Sequence, residues 1–266
     1  MSFFSMVAIL AYILAASWCG LRLFQHPLVI RWRYPLDQWL GLCAVALHGV
    51  CIGSMIGSVS GLALSFFSAV SLATCLMAAL FLVSTRVKPI ENLGILVFPL
   101  AAIGVAIVVI MPQPAVSVSA ASWGLSIHIL SSLLAYAILC LAAIQAVLLA
   151  IQDRQLRRHF SGGFIHHLPP LQTMEVVLFE LIGLGWMVLS IALIGGFVYL
   201  QDIFAQHLVH KSVLSVCAWL LFAGLLWGRW QCGWRGRTAI RWTLAGFISL
   251  MLAYFGSKAV LEFILR

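Results

Sequence analysis

The sequence predicts an all-α fold: a polytopic membrane helix bundle of about eight transmembrane helices, organised as a single transmembrane domain over residues 1–266. Three observations carry this. Hydrophobic side chains make up 64% of the chain and charged ones only 8%, against about 25% charged in ordinary soluble domains. A window of roughly 20 apolar residues, the length needed to span, fits about eight times. Basic residues collect in alternate connections. Helices are required because backbone groups in lipid must be satisfied internally, and the strict alternation of a membrane barrel is absent.

In order, the first span is 3–24. It is expected to be a permanent helix, since Met1-Ser2-Phe3-Phe4 has no basic n-region and the apolar run is too long for a cleaved signal. Cys19 follows Trp18 rather than a small residue, which argues against lipoprotein processing. The loop FQHPLVIRWRYPLDQ suits the headgroup region, with His26 solvated. The second span, 36–57, carries His48. Glycines then fall at Gly49, Gly53, Gly57 and Gly61, a ladder read as close helix packing in preference to a bed for a flat cofactor. The third and fourth spans, 61–84 and 93–111, are joined by VSTRVKPIENL. Pro112 and Pro114 stop the fourth.

The fifth span, 122–151, carries His128 about one and a half turns inside its first end. Gly124, Ser131, Ser132 and Ala135 lie on or beside its face, leaving room for a flat ligand or a close helix. The loop QDRQLRRHFSGGFIHHLPPLQTME holds His159, His166 and His167 around Gly162-Gly163. Adjacent histidines point different ways on a regular element, so a loop is expected there rather than a metal site. Spans 176–200, 212–227 and 240–264 complete the chain. His207 and His210 lie between the sixth and seventh. Trp227, Trp230 and Trp234 with Arg229, Arg235 and Arg237 form an interfacial belt at the end of the seventh.

The formal charge of +8 does not point to nucleic acid. Twelve of the 15 basic residues flank or occupy loops one, three, five and seven. The positive-inside rule then puts those loops in the cytoplasm and both termini on the outer side of the membrane, the periplasmic side in the bacterial setting that the resemblance below implies. Membrane lipids are the partners this charge implies. Seven cysteines form no CxxC pair, which leaves no disulfide framework or metal cluster to read. The acidic residues, Asp37, Glu91, Asp153, Glu175, Glu180, Asp202 and Glu262, all lie near span ends or in loops. No catalytic constellation emerges, so the chain is not expected to be an enzyme. An ion-coupled transporter would also want a mid-membrane carboxylate.

His48 and His128 are the deep ionisable residues, about 13 Å and about 9 Å below the outer ends of their helices. Two imidazoles at similar depth among small residues suit axial ligation of a haem iron; a histidine bonded across the bundle to a backbone carbonyl is the plainer alternative.

The run SIHILSSLLAYAIL resembles the histidine-containing helix of the cytochrome c-assembly superfamily, which includes CcsA, CcmC and HemX proteins. ELIGLGWMVLSIALIGGFVY, KSVLSVCAWLLFAGLLW, HPPLQTME, and GWRGR followed by LAYFGSK extend the resemblance in order, and the whole looks most like a HemX-like bacterial inner-membrane branch. The resemblance implies a multi-helix membrane protein that handles haem, with His128 as an outer-face ligand. The superfamily's tryptophan-rich segment is replaced by QDIFAQHLVHKS, the next helix ends in Trp227 where a histidine is expected, and no outer histidine follows before Arg266. The function expected is therefore non-catalytic haem binding that assists cytochrome c or haem-protein biogenesis, with a biogenesis protein as partner. His128 would be one axial ligand, His48 the preferred second and His210 the reserve, at an outer mouth formed by spans two, five, six and seven. The competing readings are a scaffold or regulatory protein that has lost haem, and a small-molecule or haem exporter.

Overall fold

The computed structural model describes residues 3–24, 35–56, 66–111, 123–158, 168–199 and 206–256, with backbone alone at 55–56, 206–210 and 255–256. The regular elements among them are helices: α1 (Phe3–Leu23), α2 (Leu36–Ile56), α3 (Phe66–Ser84), a 3-10 turn (Glu91–Leu93), α4 (Gly94–Ile110), α5 (Trp123–Arg157), α6 (Leu171–Tyr199), α7 (Gln206–Cys232) and α8 (Arg237–Met251). A π-helical segment, Leu252–Gly256, continues α8. Among the described residues seven helices are long and apolar enough to cross a membrane. The described part of α8, 15 residues, is shorter than a span, and residues 257–264 of the expected eighth span lie outside the described residues.

The expected spans match these helices with informative differences at the ends. The seventh was expected over 212–227, but α7 runs on to Cys232, so Trp227 and Trp230 are helical and strongly exposed. It ends in a turn closed by the Trp234 N–H on the Gly228 carbonyl, at 3.1 Å. Gly233 (φ 63°) and Gly236 (φ 53°) supply the left-handed backbone that lets α8 start at once. The α5 helix likewise continues past its apolar stretch to Arg157, where Arg157 pairs with Asp153 one turn earlier.

The helices fall into two compact units, one bounded by Met1–Ala120 with Gln152–Met174, the other by Ala121–Ile151 with Glu175–Arg266. In the first unit α1 presents small residues, Ala8, Ala11 and Ala15, all buried. That stripe lets neighbouring backbones approach, which is how helices associate where lipid removes the hydrophobic drive between them. Tyr12, Phe98 and Phe81 stack in sequence at its centre, with ring centroids 6.2 and 5.4 Å apart. At one end Arg22 bridges the nearly buried carboxylate of Asp37 (3.2 Å) and that of Glu91 (3.0 Å), tying α1 to α2 and to the turn before α4. A guanidinium fork suits this double engagement.

Glycine does not act uniformly here. Gly49 and Gly53, the first two rungs of the ladder, are exposed, and a Cβ at either would meet nothing within 4 Å. Among the described residues nothing packs closely on these two, and Gly57 and Gly61 lie outside the described residues. The tight crossing occurs instead at Gly104 of α4, where an added Cβ would fall 2.0 Å from the Thr74 hydroxyl of α3. Replacing Gly104 with leucine is expected to cost about 2–3 kcal/mol, as overpacking does. Gly49→Ala is expected to stay within about 0.5 kcal/mol. Thermal unfolding of the detergent-solubilised protein checks both.

In the second unit α7 and α8 pack through glycine on aromatic, Gly246 against Phe222 and Gly224 against Trp242, while Gly228 of α7 receives the ring of Trp234 from the turn between them. Trp219 stacks on Trp186 at 5.4 Å and donates its indole N–H to the Ser190 hydroxyl at 2.8 Å, joining α7 to α6. Tyr136 of α5 donates to the Leu250 carbonyl at the end of α8. The start of α8 is held from outside its own sequence. The nearly buried Glu175 carboxylate accepts the Gly236 N–H at 2.7 Å and Arg235 Nε at 3.3 Å. A carboxylate there satisfies an otherwise orphaned donor and complements the positive end of the helix.

Candidate functional site

The two deep histidines have different surroundings, each explained within its own unit. His48 is fully buried on α2. Its Nδ1 lies 3.2 Å from the Tyr12 hydroxyl of α1, and its Nε2 lies 2.8 Å from the Ser71 hydroxyl of α3. Tyr12 also meets the imidazole edge to face, at 5.8 Å between centroids. An unpaired imidazole buried in an apolar bundle is costly, and the two hydroxyls remove that cost by satisfying both nitrogens. The group therefore ties three helices together. In this arrangement each nitrogen of His48, the residue expected as second axial ligand, has a hydroxyl partner.

His128 is half-buried on α5. Its Nδ1 lies 2.7 Å from the backbone oxygen of Ala192 on α6. A carbonyl oxygen only accepts, so Nδ1 must carry the proton. The neutral ring then keeps its lone pair on Nε2, which has no hydrogen-bond partner among the described residues. Fixing one imidazole nitrogen on a carbonyl while the other faces a metal is the common arrangement of ligating histidines.

The ring lies against two adjacent glycines of α6. An added Cβ at Gly196 would fall 2.8 Å from His128 Cε1, and one at Gly195 would fall 3.6 Å from His128 Cβ. The small residues expected around His128 have other roles. A Cβ at Gly124 would strike the Tyr199 ring at 2.3 Å, so this glycine admits a close helix rather than a flat ligand. Ser131 and Ser132 both donate back to the carbonyl of His128 itself, at 3.1 and 2.7 Å. Ala135 is fully buried.

Of the remaining candidates, His210 sits in the first turns of α7, where the backbone alone is described, and His26, His159, His166 and His167 lie outside the described residues. Among the described residues no group of three or more His, Cys, Asp and Glu is placed to hold a metal ion. His48 and His128 belong to different units. Tyr12, Ser71 and Gly196 were not singled out from the sequence. A tyrosine at mid-span and a double glycine near the end of an apolar run are the signals that point to them. Ala192 contributes only its carbonyl and leaves no such signal.

For an iron porphyrin, Nε2 of His128 is a nitrogen that could serve as donor, while both nitrogens of His48 are engaged by hydroxyls.

Comparison with known proteins gives the context. The family model described as cytochrome C assembly protein matches residues 39–265. Inner membrane protein YpjD of Escherichia coli (strain K12) is 36% identical over 169 residues, 64% of each chain. An uncharacterized 28.8 kDa protein of Azospirillum brasilense is 31% identical over 156 residues, 58% of each chain. Cytochrome c biogenesis protein CcsA of Gloeobacter violaceus is 29% identical over 87 residues, 32% of this chain and 26% of that one. The chain thus spans just under two thirds of the length of the curated relatives it matches at greatest extent. No solved structure matches it.

Proposed function

As this chain belongs to the cytochrome c assembly protein family, we propose that it binds haem through His128 and serves haem-protein biogenesis without catalysing a reaction. It is a multi-pass protein of the inner membrane, with seven helices among the described residues long and apolar enough to cross and an inner-membrane relative at 36% identity. One observation carries the haem reading: the 2.7 Å bond from His128 Nδ1 to the Ala192 carbonyl, which leaves Nε2 as the unprotonated nitrogen. Bound haem would supply the iron and its electron-transfer chemistry. The protein would supply one axial nitrogen, a fixed ring orientation and the apolar surroundings that tune a haem site.

The end of α5 that bears His128 is placed on the periplasmic side in this proposal, because the opposite end of the helix carries Arg154, Arg157 and Arg158. A second nitrogen for the iron would come from a group other than the hydroxyl-bound His48, with His210 at the start of α7 the candidate within the chain. The biogenesis partner is a protein that receives or releases haem at that face.

The test is an absorption spectrum of the detergent-purified protein made with haem available, oxidised and then reduced with dithionite. A Soret band with sharp reduced α and β bands supports a low-spin, nitrogen-ligated haem. A colourless preparation that also takes up no added haem would overturn the proposal. That outcome favours a scaffold, a reading supported by the missing tryptophan-rich segment and by the hydrogen bonds at both His48 nitrogens.

A further inference from the structure

We infer that Gly196 is a positioning residue for His128: by lacking a side chain it lets the imidazole reach the Ala192 carbonyl, and so selects which ring nitrogen faces a metal. This rests on the haem reading for its use, but the seat itself is a property of the protein without ligand.

The physical basis is the geometry of one helical turn. In α6 the Ala192 carbonyl points along the helix toward residue 196, the partner of its i→i+4 bond. Any Cβ at 196 would stand beside that oxygen. With glycine there the flank is open, and the imidazole enters it to bring Nδ1 within 2.7 Å of the oxygen. An added Cβ would lie 2.8 Å from Cε1, 3.2 Å from Nδ1 and 3.6 Å from Nε2. It would therefore press on the ring itself, the part whose position matters, and not on the end of a flexible chain.

The neighbouring glycines mark the effect as local to 196. At Gly195 the nearest atoms to an added Cβ would be the Cβ, Cα and Nδ1 of His128 at 3.6–3.9 Å, ordinary contact. At Gly183, on the same helix, it would meet nothing within 4 Å. Of these three glycines of one helix, Gly196 is expected to respond to a methyl group and Gly195 and Gly183 are not. Only one of them bears on the tautomer.

The chemical consequence lies in the donor strength of Nε2. A hydrogen bond from Nδ1–H to a carbonyl fixes the ring and makes the opposite nitrogen a better donor, and losing such a partner typically lowers metal affinity about 10–100-fold. Gly196→Ala is expected to cause a loss of that size in haem affinity, with Gly195→Ala and Gly183→Ala unchanged.

The deciding experiment is nitrogen NMR of haem-free protein labelled at histidine, above the titration range of imidazole, with the His128 signal identified by its loss in His128→Gln. Wild type is expected to show neutral Nδ1–H imidazole at His128. Gly196→Ala is expected to lose that signature, while Gly195→Ala and Gly183→Ala keep it. A neutral Nε2–H ring in wild type overturns the inference, even if Gly196→Ala does not fold. So does a Gly196→Ala spectrum and haem titration indistinguishable from those of Gly195→Ala. If wild type shows Nδ1–H and the series behaves as stated but no variant takes up haem, the seat stands and the haem reading fails. If wild type binds haem and the three glycine variants behave alike, the haem reading stands and the seat fails.

Discussion

Replacing His128 with alanine is expected to abolish the Soret band of the purified protein while leaving its thermal midpoint nearly unchanged. The ring is half-buried and makes one hydrogen bond, to a carbonyl that in a helix also has its own backbone partner. Its removal leaves no buried donor stranded, so the stability cost is small, about 1 kcal/mol. The binding cost is of another order. Losing an outer-shell partner already lowers metal affinity about 10–100-fold, and this variant removes the ligand itself. Added imidazole is expected to restore part of the absorption by filling the vacated space. An unchanged Soret band in His128→Ala, with iron ligation intact, would remove His128 from the site.

The opposite pattern is expected at His48. Alanine there strands the Tyr12 and Ser71 hydroxyls inside a fully buried cluster and opens a cavity between α1, α2 and α3. Each stranded hydroxyl costs about 1–3 kcal/mol. Values near the low end apply because polar groups in a membrane find other partners when helices separate. We expect a total of about 2–3 kcal/mol, read as a lowered unfolding midpoint, with the absorption spectrum of the surviving folded protein retained. Loss of the reduced α and β bands with no change in midpoint would instead make His48 a ligand and reverse our assignment of its nitrogens. The pair of variants separates a binding histidine from a tying one because each is expected to move the observable that the other leaves alone.

Much of the fold was legible because in a membrane composition constrains architecture so strongly. Once lipid forbids exposed backbone groups, an apolar run of the right length has few other solutions. The ends were less legible. The seventh span was expected to stop at Trp227, where hydropathy falls, but α7 continues to Cys232 because helical bonds do not end where lipid does. The candidate site was legible only in part. His128 could be singled out from one residue, since an ionisable group in an apolar helix is costly. The state of its nitrogens depends on a backbone carbonyl 64 residues away, and that of His48 on hydroxyls 36 and 23 residues away. The glycine ladder shows the same limit from the other side. Spacing every fourth residue places Gly49 and Gly53 on one face, but it does not say whether anything packs there.

The clasp at Glu175 has a consequence for how the chain is made. Its two partners, Arg235 and the Gly236 N–H, lie 60 and 61 residues further along. At synthesis rates of about 5–20 residues per second the carboxylate precedes them by roughly 3–12 s. During that interval Glu175 is a charged group awaiting its partners, and its cost of entering lipid holds its end of α6 at the membrane surface. When α8 begins, its first amide meets an acceptor that has already been synthesised. The order of translation thus gives α8 a ready starting point.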